Sequence, residues 1–96
     1  MLRTDIIKVA KFKFENSFQL SGRGLVITGQ ITDGSIKPGN SIYLEDDNNV
    51  SIIKVSGVEQ GIIGKDGFVG LHVETADINI ENKLKRQIGR VLIIMS

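Results

Sequence analysis

Between Gly22 and Leu44 the chain sets a two-residue rhythm of apolar side chains against closely spaced glycines, and few folds accept that combination. Gly22 and Gly24 bracket Arg23 where the backbone must reverse, and glycine enters positive φ without a Cβ penalty. Leu25, Ile27 and Ile31 then share one face of a strand, with Val26, Thr28, Gln30 and Thr32 on the other. Asp33-Gly34 and Pro38-Gly39-Asn40 are turns with a mechanism, since proline presets φ and glycine or asparagine tolerates the left-handed region. The spacing predicts a corner, a strand, a turn and a second strand at Ile42–Glu45.

The flanking segments continue the pattern. Met1 is read as a start and residues 1–5 as a short lead-in. From Ile6 to Glu15 the apolar face changes phase, from Ile7 and Val9 to Phe12 and Phe14. A period-two element that switches face needs an extra residue, which predicts a β-bulge or bend at Val9–Lys11. Phe12 and Phe14 then enter the core, Phe18 caps one end, and Asn16-Ser17 forms a turn. Asp46-Asp47-Asn48-Asn49 is a polar turn before a strand at Val50–Glu59, where Ile53 and Val55 lie opposite Ile52, Lys54, Ser56 and Val58. Gln60–Gly67 reads as a loop. Phe68–Glu74 is a strand with Val69, Leu71 and Val73 inward and Gly70, His72 and Glu74 outward. Ala76–Gln87 breaks the alternation as a long loop or single helical turn pinned by Ile78 and Ile80. Ile88–Met95 is nearly all apolar, a closing strand buried on both sides or at an interface. Six or seven short strands in one domain spanning residues 1–96 make the fold all-β, a closed barrel or a sandwich.

The order of the motifs carries a resemblance. Gly22-Arg23-Gly24 with Val26, Ile27 and Thr28-Gly29, then Gly34, Ile36-Lys37 and Gly39, resembles domain 2 of elongation factor Tu and related translational GTPases. Gly57-Val58-Glu59, Val69-Gly70-Leu71 and Gly89-Arg90-Val91-Leu92 are similar to later motifs of that family, in the same order. The resemblance covers residues 12 to 94 and implies a small closed antiparallel six- or seven-stranded barrel. It also implies that Glu59 matches the glutamate of the family's pocket for the terminal adenosine of transfer RNA. Ile62 stands where the family has an arginine, and Asp66-Gly67-Phe68 replaces its Gly-Glu-Asn.

Composition limits the chemistry. The chain has 96 residues, a formal net charge of +1, no cysteine and one histidine. Disulfides, thiolate catalysis and Cys- or His-rich metal sites are therefore excluded. No apolar run reaches the ~18 residues of a membrane helix and no signal-peptide core precedes the domain, so the expected compartment is the cytoplasm. His72 beside Glu74 reads as a solvated strand residue, without the neighbouring nucleophile that catalysis requires. Asp46-Asp47 lacks the remaining ligand spacing of a calcium loop. No Gly-x-x-x-x-Gly-Lys-Ser/Thr stretch exists, so no nucleotide is expected, and no cofactor either.

What remains is a non-catalytic binding module, expected to dock on a protein partner or a translation-related assembly, or to self-associate through Leu92–Met95. The alternative is an RNA-contacting factor. Its candidate residues are Glu59 with Lys83, Lys85, Arg86 and Arg90, the last four forming a sequence-local basic cluster that would give salt-dependent affinity for ribosomal or transfer RNA.

Overall fold

A computed structural model describes residues 7–20, 24–46, 49–60, 68–74 and 79–96. In these the alternating segments become strands β1 (Lys8–Leu20), β2 (Gly24–Gly34), β3 (Ser41–Asp46), β4 (Asn49–Gln60), β5 (Phe68–Glu74) and β6 (Val91–Met95), with a short helix α1 (Ile80–Lys85) before the last. They close in the order β1-β2-β5-β4-β3-β6, every pair antiparallel, with β6 returning to β1. The expected all-β closed barrel is therefore what forms, with six strands. Closure leaves no unpaired sheet edge to template aggregation.

Inward residues of every strand meet in one core: Phe12, Phe14, Ile27, Ile42, Leu44, Ile53, Leu71 and Ile94 are all fully buried. Each such side chain contributes about 1.5–3 kcal/mol of transfer free energy. Helix α1 adds Ile80 and Leu84, four residues apart and so on one face, to the same cluster.

Two glycines have structural reasons. Gly39, at φ +100°, takes the third position of the Lys37–Asn40 turn, closed by Asn40 N–H donating to the Lys37 carbonyl at 3.1 Å. That position of a type II turn requires positive φ. Gly29 lies where the backbone of β1 packs directly against β2. A Cβ there would run into the Lys13 carbonyl oxygen and stand 2.8 Å from Phe12 Cζ.

Irregularities in the ladders reassign several faces. The phase change of β1 is present, with Val9 unmatched between Lys8↔Met95 and Ala10↔Ile94. A further slip, between Phe14↔Gly29 and Asn16↔Thr28, leaves Glu15 as an extra residue. It replaces the expected turn at Asn16-Ser17, and β1 runs straight through. Since one extra residue exchanges the two faces, Phe18 turns outward and is 47% exposed instead of capping the core. A slip at Ser56 in β4 does the reverse for Val58, which packs against the core rather than opposite Ile53. Strand β6 is not buried on both sides: Leu92 and Ile94 point in, while Val91 is 49% exposed and Ile93 and Met95 are half-buried. Ile88 lies in the turn before it, also exposed. The expectations for Met1–Asp5, Gly22-Arg23, Asp47-Asn48, Gly61–Gly67 and Ile78 fall outside the described residues.

Candidate functional site

The basic residues near the C-terminus converge on a carboxylate. Helix α1 and the turn after it carry Lys83, Arg86 and Arg90 to the end of the β3–β4 hairpin, where Arg86 Nη2 donates to Asp46 Oδ2 at 2.5 Å, while Lys85 is exposed at the end of α1. That hydrogen bond holds the Asp46 carboxyl below its ordinary value. Partial burial pushes the other way, and the charges of Arg86, Lys83 and Arg90 reinforce the lowering. Gln87, itself buried, ties the same turn to β3 by donating from Nε2 to the Glu45 carbonyl at 3.0 Å. Two adjoining clefts of about 210 and 290 Å3 result, one lined by Tyr43, Gln87, Arg90 and Val91, the other by Glu45, Asp46, Arg86 and Arg90. Their walls alternate in charge, which suits a salt-linked protein contact better than a run of phosphates.

Glu59 is elsewhere. It sits near the far end of β4, ten residues from Asn49, or about 33 Å of strand at ~3.3 Å per residue, on a molecule whose longest extent is 45 Å. Its partner is His72 on β5, with Nε2 and Oε1 2.5 Å apart. The register explains the pair: His72 lies opposite Gly57, Glu59 lies opposite Gly70, and neither glycine has a side chain to intervene. His72 thus faces outward as expected, but its carboxylate is Glu59 and not Glu74. The five sequence-predicted residues do not form one site. Among the described residues no group of His, Asp and Glu could hold a metal ion, and no helix is long and apolar enough to cross a membrane.

A third feature is apolar. On the outer wall, Ile52 of β4, Tyr43 of β3 and Ile93 of β6 stand side by side in consecutive ladders. Val50 and Val91 lie one outward position along their own strands. Ile52 is 56% exposed, Val50 51%. Sequence reading placed an interaction surface on Leu92–Met95, and the strand geometry keeps only Ile93 and Met95 of it outside. Tyr43 and Ile52 complete the surface, and the phase of Ile42/Leu44 and Ile53/Val55 in the sequence already points them outward.

Comparison with protein-family models, with curated proteins and with solved structures finds no match to this chain. The functional reading therefore rests on the residues themselves.

Proposed function

We propose that this chain is a non-catalytic binding module of the cytoplasm. It docks on a protein partner or a translation-related assembly, as the resemblance to elongation factor Tu domain 2 leads one to expect. One observation carries the reading: the row Ile52–Tyr43–Ile93, extended by Val91, leaves a contiguous apolar strip on the outside of a barrel whose core is already full. Single exposed apolar residues are ordinary, but a register-aligned strip rimmed by charge marks a surface that another molecule covers. Contact with ribosomal or transfer RNA would draw instead on Lys83, Lys85, Arg86 and Arg90. Asp46 and Glu45 stand among those cations and oppose phosphate.

A photo-crosslinking amino acid at Val91, in the cells that make the protein, tests the docking. Adducts with another protein chain are expected at Val91 and not at Gln19, which is exposed near the other end of β1. Equal yields at both positions, or adducts to RNA alone, overturn the reading.

A further inference from the structure

The apolar strip has a cationic border along β1. Along β1 the outward residues Lys8, Lys11 and Lys13 are matched in register to Met95, Ile93 and Val91. On the opposite flank Lys54 pairs with Ser41 beside the strip. Arg90, immediately before Val91, is exposed and lines both clefts at the strip's foot. Carboxylates border it too: Glu45 and Asp46, which share the clefts with Arg90, Asp33, opposite Lys11 on the side away from β6, and Glu74, opposite Lys54 on β5. A molecule laid across the strip would therefore meet apolar groups at the centre, a row of lysines along the β1 edge and Arg90 at the foot.

We infer that the occupant is an acidic, apolar protein segment, placing apolar side chains over Tyr43, Ile52 and Ile93 and carboxylates on Lys11, Lys13 and Arg90. This rests on the docking reading above and adds the chemistry of the partner. The guanidinium of Arg90 suits a carboxylate because its fork can donate two parallel hydrogen bonds.

Two short synthetic peptides decide the matter. They share Leu and Phe residues and differ only in carrying Glu or Lys at the remaining positions, and each is titrated into the isotope-labelled full chain while amide shifts are followed. The Glu peptide is expected to move the amides of Tyr43, Val91 and Ile93, to bind at least about tenfold more tightly than the Lys peptide, and to weaken as salt rises. The K13E/R90E variant reverses that preference, and the neutral K13Q/R90Q variant weakens the Glu peptide without favouring the Lys one. Equal binding of both peptides at the strip overturns the acidic partner but leaves docking intact. Shifts confined to other faces overturn the inference, as does a dimer that protects the strip in the absence of peptide. Failure of crosslinking at Val91 instead removes the docking reading on which it rests.

Discussion

Gly29 shows how little slack the barrel leaves at a single residue. Its missing side chain lets the Phe12 ring and the Lys13 carbonyl occupy the space a methyl would need. Gly29→Ala is therefore predicted to cost at least the ~1–3 kcal/mol typical of overpacking, read as a lower urea midpoint at unchanged slope. At Asp46 the effect is electrostatic. Because its folded pKa is lowered, the ionised pair with Arg86 contributes stability that is fully present above the ordinary carboxylate value near ~4 and is lost as pH falls through the folded value. Melting temperatures of Asp46→Asn and the parent should differ at pH 6 and converge in stronger acid, while a gap that is constant with pH would refute the assignment. The pair is partly exposed, so added salt narrows the gap as well.

At the scale of elements, α1 is too short to persist alone and survives because Ile80 and Leu84 reach the core. Leu84→Ala is predicted to cost about 2–5 kcal/mol and to accelerate hydrogen exchange at the Lys83 and Gln87 amides, whose carbonyl partners are Asn79 and Leu84. Slower or unchanged exchange there would mean that the helix is held by something else. The strands themselves were readable wherever alternation ran unbroken, as in Leu25–Ile31, Ile53–Val55 and Val69–Val73. Bulges at Glu15 and Ser56 were not, because the extra residue there leaves no mark in side-chain type and shows itself only against a partner strand. For that reason Phe18 and Val58 appeared on the wrong faces. The bulge at Val9 was legible because Ile7, Val9, Phe12 and Phe14 record the phase change in the residues themselves. The same limit governs the site. Lys83, Arg86 and Arg90 cluster in sequence and in space, whereas the pairing of His72 with Glu59 depends on a cross-strand register that no local pattern encodes.

For the whole molecule, the barrel completes its core and closes its sheet without using the outer strip. Folding and binding are thereby separated onto the two faces of the same strands: Ile42, Leu44, Ile53, Leu92 and Ile94 hold the structure, and Tyr43, Ile52 and Ile93 between them are left to meet a partner. Replacing Ile52 and Ile93 with threonine keeps their β-branching and removes apolar surface, so stability should fall by no more than about 1 kcal/mol. The most direct measurement is the crosslinking yield at Val91 in a chain carrying Ile52→Thr and Ile93→Thr. A folded protein with its adducts lost is the predicted result, and a folded protein that crosslinks at the parental yield would contradict the account.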